Sequence, residues 1–160
     1  MKKSILIFCL LFFAYSVIAQ QNKMKINVSL PTGWEKVQGS VLEHQYLKNG
    51  ASFMIKEEFA LNGMALDNAV KEAKQQIGKY FKNVEFADDE RVKVNGHNAQ
   101  SVTFTYSVNM RQTEMKMKMN SIYLIINNKC YNISFGSILD NFKEISSDIP
   151  QILQGIKFIL

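Results

Sequence analysis

The sequence predicts an α+β domain, an antiparallel β-sheet built of hairpins and flanked by helices, and three observations predict it. Asn49-Gly50 and Asn95-Gly96 each stand between alternating apolar runs. Both residue types tolerate the left-handed dihedrals that a two-residue hairpin turn needs, so each pair marks a hairpin. Leu66, Val70, Ala73, Ile77, Phe81 and Val84 recur at spacings of three and four, which is the period of one helix face. Phe142, Ile145, Ile149 and Leu153 repeat that period near the C-terminus. Hairpins in series with one helix inserted and one appended place helices against an antiparallel sheet.

The elements follow in chain order. Lys2 and Lys3 precede an uncharged apolar run from Ile5 to Ala14, and Val17-Ile18-Ala19 then offers tolerated residues for signal peptidase. Residues 1–19 therefore read as a cleavable secretory signal peptide. The run is short for a bilayer span, and Phe8 before Cys9 does not fit a lipoprotein cleavage site. The mature chain, residues 20–160, is expected to be a single domain, periplasmic or secreted, without a membrane span. Met24 to Leu30 alternates Ile26, Val28 and Leu30 on one face and ends at Pro31-Thr32-Gly33, a strand running into a turn. Trp34 and Val37 are expected in the core. Val41 to Leu47 and Ala51 to Phe59 are the arms of the first hairpin. The helix is expected to run from Leu66 through Val84, with Lys71, Glu72, Lys74, Gln75 and Lys79 on its polar faces. After Asp88-Asp89-Glu90, Arg91 to Val94 and His97 to Met110 form the second hairpin. In its longer arm Val102, Phe104, Tyr106, Val108 and Met110 alternate with Ser101, Thr103, Thr105, Ser107 and Asn109. Met115 to Ile126 and Cys130 to Phe135 pair around Asn127-Asn128-Lys129, where asparagine accepts positive φ. Leu139 to Gln154 is helical with Pro150 as a kink or restart, and Ile156 to Leu160 is a last short strand.

Several strings carry a resemblance to a known family. They are Ile26-Asn27-Val28-Ser29-Leu30-Pro31-Thr32-Gly33-Trp34, Ala65-Leu66-Asp67, Val92-Lys93-Val94-Asn95-Gly96-His97-Asn98-Ala99, and Ile152-Leu153-Gln154-Gly155-Ile156-Lys157-Phe158. With the order of elements, they resemble the PsbP-like superfamily, which includes the extrinsic photosystem II protein, periplasmic DcrB-type proteins and the Ran-binding Mog proteins. The resemblance implies a sheet flanked by helices. It implies no common activity, because a fold is a scaffold on which sites differ. A secretory signal also differs from the plastid transit peptide of the plant photosystem protein.

Composition narrows the function classes. The chain carries a net charge of +5, and loss of Lys2 and Lys3 with the signal leaves +3. Charge this small and scattered is not the basic stripe of a nucleic-acid binder. With Cys9 removed, Cys130 is the only cysteine, which excludes an intramolecular disulfide and a cysteine metal cluster. His44 and His97 lack any H-x-x-H spacing and are expected at ordinary surface or edge positions. Ser40 lacks the second glycine of a nucleophile elbow. Cys130 shares its strand face with Asn132 and Ser134 and reads as a reduced structural thiol rather than a nucleophile. Glu85, Asp88, Asp89 and Glu90 lack the alternating ligands of a calcium loop and read as a solvated turn.

Met115, Met117 and Met119 share one strand face, with Lys116 and Lys118 on the other. Thioethers suit soft Cu(I), but methionines also fill irregular gaps beneath a helix. The core role is expected, because flanking lysines repel cations. No catalytic, cofactor or metal-ligand set emerges. The sequence therefore predicts an exported, monomeric, non-enzymatic binding or assembly module that contacts an unknown protein partner. A small-ligand or copper-binding protein of the cell envelope is the alternative.

Overall fold

The computed structural model describes residues 24–110 and 113–159. The expected signal peptide therefore lies outside the described residues. β1 (Lys25–Val28) and β2 (Glu35–Lys36) are separated by a turn in which Gly33 takes φ 95°. The three asparagine turns all form. They join β3 (His44–Lys48) to β4 (Ala51–Glu57), β6 (Glu90–Val94) to β7 (His97–Met110), and β8 (Thr113–Ile126) to β9 (Lys129–Ile138). Between the arms, Asn49, Gly50, Asn95, Gly96, Asn127 and Asn128 all have φ between 45° and 86°. These dihedrals match the right-handed twist of the strands they connect.

The helix α1 (Leu66–Tyr80) is shorter than its apolar stripe. Phe81 leaves the helix with ψ 150° while its N–H still reaches the Ile77 carbonyl at 3.0 Å. Val84 lies on an unexpected strand, β5 (Lys82–Phe86). The expected helix over 81–84 is thus corrected: Asn83, with φ 53°, bulges the new strand against β7. The stripe continued because Phe81 and Val84 pack on the same core as Val70 and Ile77, which a period count cannot distinguish from another helical turn. Two further boundaries move. The first hairpin starts at His44, leaving Val41 fully exposed, and its second arm ends at Glu57, with a 3-10 turn over Phe59–Leu61.

The C-terminal helical segment is broken, as Pro150 suggested, into α2 (Phe142–Ser146) and α3 (Asp148–Gly155). Pro150 is the third residue of α3, where a backbone N–H has no intrahelical partner to lose. β10 (Ile156–Ile159) follows.

Among the described residues, those from 28 to 156 form one compact unit, and residues 24–27 join residues 157–159 in a second. β1 and β10 pair as a two-stranded sheet. The larger sheet runs β2-β3-β4-β9-β8-β7-β5, with β6 also paired to β7, and every pairing in it is antiparallel. One face carries Tyr46, Phe53 and Phe135 stacked across three strands, with centroids 5.5 and 5.0 Å apart and Trp34 edge-on to Phe53 at 6.0 Å. Buried Phe142 and Ile145 on α2, and Ile152 and Leu153 on α3, supply the apolar cover expected of these helices. Asp148, at the start of α3, accepts hydrogen bonds from Lys48 Nζ at 2.7 Å and Trp34 Nε1 at 2.9 Å. Gly155 is required by close approach, since a Cβ there would fall 2.4 Å from the Ser29 carbonyl oxygen. α1 covers the opposite face, where Val70, Ala73 and Ile77 meet Val102, Phe104, Tyr106 and Tyr123.

Candidate functional site

On the α1 face, the strand pairing sets Met54, Lys56, Asn132, Ser134, Ser121 and Tyr123 in adjoining rows of β4, β9 and β8. Strand alternation explains this placement. Tyr131, Ile133 and Phe135 of β9 point into the aromatic core, so Cys130, Asn132, Ser134 and Gly136 point toward α1. These small and polar residues fill little space. The result is a groove of about 320 Å³ between the C-terminal half of α1, the 3-10 turn and the sheet. Ile77, Phe81, Phe104, Met119 and Met54 form its apolar walls, while Lys56, Glu58, Gln76 and Tyr80 also line it.

The floor is a connected polar array. The Asn132 amide donates to the Glu58 carboxylate at 3.0 Å and toward the Tyr123 hydroxyl at 3.4 Å. Ser134 Oγ donates to Asn132 Oδ1 at 2.8 Å and lies 3.5 Å from Ser121 Oγ. Lys56 pairs with Glu58 at 2.9 Å. Ser121, Tyr123, Asn132 and Ser134 are all at least nine-tenths buried. Burial of polar groups without such partners would cost stability, so the array is mutually satisfied. Burial first, and the Glu58 carboxylate second, push the Tyr123 hydroxyl far above its ordinary range.

The residues singled out from sequence fall as follows. Met117 and Met119 are half-buried and pack against the α1-side core, as expected, and a Cβ on Gly136 would sit 3.2 Å from the Met119 methyl. Met115 is also half-buried on that strand face. Cys130 is fully buried, and burial, followed by the Glu58 carboxylate, pushes its thiol up to about 11. It stays protonated at neutral pH, as a structural thiol should. His97 is exposed, but His44 is not. The surface position expected for His44 is corrected: its ring is buried, with Nδ1 3.5 Å from the Tyr46 hydroxyl and Nε2 3.8 Å from the Glu43 carboxylate. His44 pairs with Ile55 on the aromatic face, so it is on the opposite side of the sheet from Cys130. Ser40 Oγ is engaged with Gln45 and accepts from the Leu42 N–H. Asp89 accepts from Lys74 at 3.0 Å and Gln100 at 3.1 Å. Among the described residues, no group of three or more His, Cys, Asp or Glu side chains is placed to hold a metal ion.

Sequence reasoning missed Glu58, Ser121, Tyr123, Asn132 and Ser134. The alternation of the last four in β8 and β9 was visible, but a polar strand face reads as solvent-facing until a helix is seen beside it. Two other hollows occur on residues 28–156. One of about 470 Å³ lies outside α1 among charged side chains, and one of about 420 Å³ lies between β6, β7, β8 and the C-terminal helices. The first is lined by the Lys74–Asp89 pair with Gln100, and the second by Asn120, which donates to Ser101 and Thr103, both at 2.7 Å.

No protein-family model matches the sequence, and neither does any curated protein. Solved structures do. LpqN of Mycobacterium tuberculosis, involved in cell envelope biogenesis, superposes with a TM-score of 0.62 at 8% identity, covering 89% of this chain and 87% of that one. The Ran-binding protein Mog1p of Saccharomyces cerevisiae gives 0.57 at 9% identity, over 86% and 96% of the two chains. PA94 of Pseudomonas aeruginosa, of unknown function, gives 0.56 at 12% identity over 85% and 84%. At such identities the likeness is one of fold alone, an α+β fold shared with a Ran-binding Mog protein and with LpqN.

Proposed function

We propose that this chain is an exported, non-enzymatic binding module that acts through protein–protein contacts outside the cytoplasm, and that it binds at the groove beside α1. The observation that carries this reading is the groove's composition: α1 leaves part of its sheet face uncovered, over a floor of buried polar side chains. Its surroundings suit a partner. Tyr80 lines the groove at 82% exposure, and Phe59, between the lining residues Glu58 and Ala60, is 76% exposed. Exposed aromatic side chains of this kind are common anchors in interfaces.

Export rests on the residue pattern of positions 1–19, with the mature monomer taken as residues 20–160. Among the described residues, no helix is long and apolar enough to cross a membrane. A Ran-binding protein has the same fold, so the scaffold can carry a protein-binding surface. A non-enzymatic role agrees with a protonated Cys130 that is separated by the sheet from His44.

One observation favours a second reading. A cavity of about 320 Å³ with converging polar groups also suits a small ligand of the cell envelope. The copper form of that reading has less support, because Met117 and Met119 are engaged in packing. The test of the main reading uses a photo-crosslinking p-benzoylphenylalanine placed singly at Tyr80, Phe59 or, on the far side, exposed Lys143. Irradiation of exporting cells should give one discrete protein adduct from Tyr80 and Phe59 and none from Lys143. Absence of adducts at all three positions, or equal adducts from all three, would overturn it.

A further inference from the structure

We infer that the hollow of about 420 Å³ under the C-terminal helices binds a small monocarboxylic acid with an apolar body. This is a second site, independent of the groove beside α1 and on the opposite face of the sheet. Its Ser101 and Thr103 alternate along β7 with Val102 and Phe104, which pack against α1. The volume falls within the roughly 300–1,000 Å³ typical of small-molecule sites.

Strand pairing builds the polar end. Asn120 on β8 stands opposite Thr103 on β7, with Ser101 two residues away on the same face. The Asn120 amide nitrogen donates to Ser101 Oγ and to Thr103 Oγ1, both at 2.7 Å, and Ser101 and Asn120 are nine-tenths buried. The trio has four donor hydrogens, two on the amide and one on each hydroxyl, and its internal hydrogen bonds use two of them. Among the described residues no side chain accepts the other two, which are free to turn into the hollow that all three residues line. Acceptors remain as well, in Asn120 Oδ1 and the hydroxyl lone pairs. Hydrogen bonding alone would therefore admit a neutral guest.

Charge decides the class. Lys118 is half-buried, two residues from Asn120 on the same face of β8, and its Nζ stands 5.0 Å from the centroid of the Phe142 ring. Among the described residues it forms no ion pair. The other charged lining residues, Glu90 and Lys93, are exposed and opposite in sign, which leaves one positive charge in excess. Glu90 pairs with Ser101 in the row of Ile122, which a rise of ~3.3 Å per residue puts about 13 Å along the strand from Lys118. A carboxylate held between Lys118 and Thr103 thus stands clear of Glu90, whereas a phosphate dianion would bring more charge than the single excess ammonium compensates. Val92, Ile122, Ile149 and Leu153 line the rest of the hollow and suit an apolar body.

Three probes with one ring system test the charge: 2-naphthoate, the uncharged 2-naphthamide and the cationic 2-naphthylmethylamine. Calorimetric titration of the purified protein should show one-to-one binding of 2-naphthoate, with the amine weakest of the three. The acid should bind tighter than the amide by roughly tenfold, the difference between a charge-assisted and a neutral hydrogen bond. Lys118→Gln should bring the acid and amide affinities together. Thr103→Val should weaken both, because an amide carbonyl also accepts from the hydroxyl. Gln154→Trp, at an exposed lining position of α3, should fill the hollow and abolish binding while the circular dichroism spectrum is unchanged. No saturable binding of 2-naphthoate, an amine that binds as tightly as the acid, tighter binding of 2-naphthyl phosphate, or an acid affinity unmoved by both Lys118→Gln and Thr103→Val would overturn the inference.

Discussion

Asp148 shows how one carboxylate can tie distant parts of the chain together. The hydrogen bond from Lys48, and then that from Trp34, lower its pKa against the opposing effect of burial. A folded-state pKa below the unfolded one stabilises the fold at pH values above the unfolded pKa, and that contribution is lost as pH falls through the folded value. Thermal denaturation between pH 7 and pH 2 should therefore show a loss of Tm in the acid range that Asp148→Asn reduces. At pH 7 the same variant should melt below the parent, because it forfeits the charge-assisted bond to Lys48. Equal acid sensitivity in both proteins would contradict this role. None of this was legible in the sequence, where Lys48 and Asp148 stand 100 positions apart and each reads as an ordinary surface charge. Cys130 was legible, since a lone cysteine alternating with Tyr131 in an apolar strand has few roles besides packing.

At the scale of the element, α1 is held by its buried stripe rather than by its ends. Ala65 at its N-terminus makes no side-chain cap, so tertiary packing supplies most of its stability. Ile77→Ala should cost roughly 2–5 kcal/mol in chemical denaturation, as truncations in packed cores do. Lys79→Ala, on an exposed position of the same helix, should stay within about 0.5 kcal/mol. Similar losses from both would mean that the helix does not dock as described. The period of the stripe identified α1, its face and its start. It failed at the end, because Phe81 and Val84 continue the apolar spacing from a strand. Asn83 was the available signal, as a residue that accepts positive φ and so interrupts a helix. Val41 misled in the opposite way, since a β-branched residue beside Leu42 reads as strand but stands exposed in a bend.

At the scale of the whole molecule, the hairpins and their turns were readable because each is a local event settled by an Asn-Gly or Asn-Asn pair. The groove was not, because it depends on which hairpin lies beside which. That arrangement is decided by the seam between β4 and β9, where Ile55 faces Ile133 and Phe53 faces Phe135. The seam has a consequence in time. Glu58 and Asn132 are separated by 74 positions and yet meet across it, whereas the three asparagine hairpins close within a few residues of each turn. Long loops lose more entropy on closure and are compensated only when their contacts form, so distant pairings delay folding. The hairpins and α1 should thus be in place before the transition state is passed, with the seam joining last. Ile55→Ala is expected to accelerate unfolding in stopped-flow measurements while leaving the refolding rate nearly unchanged, the pattern of a contact made after the barrier. A slowed refolding limb would instead place the seam in the nucleus. If the seam is last to close, Glu58 reaches Asn132 only in the final step, and the polar floor is among the latest features of the native state to exist.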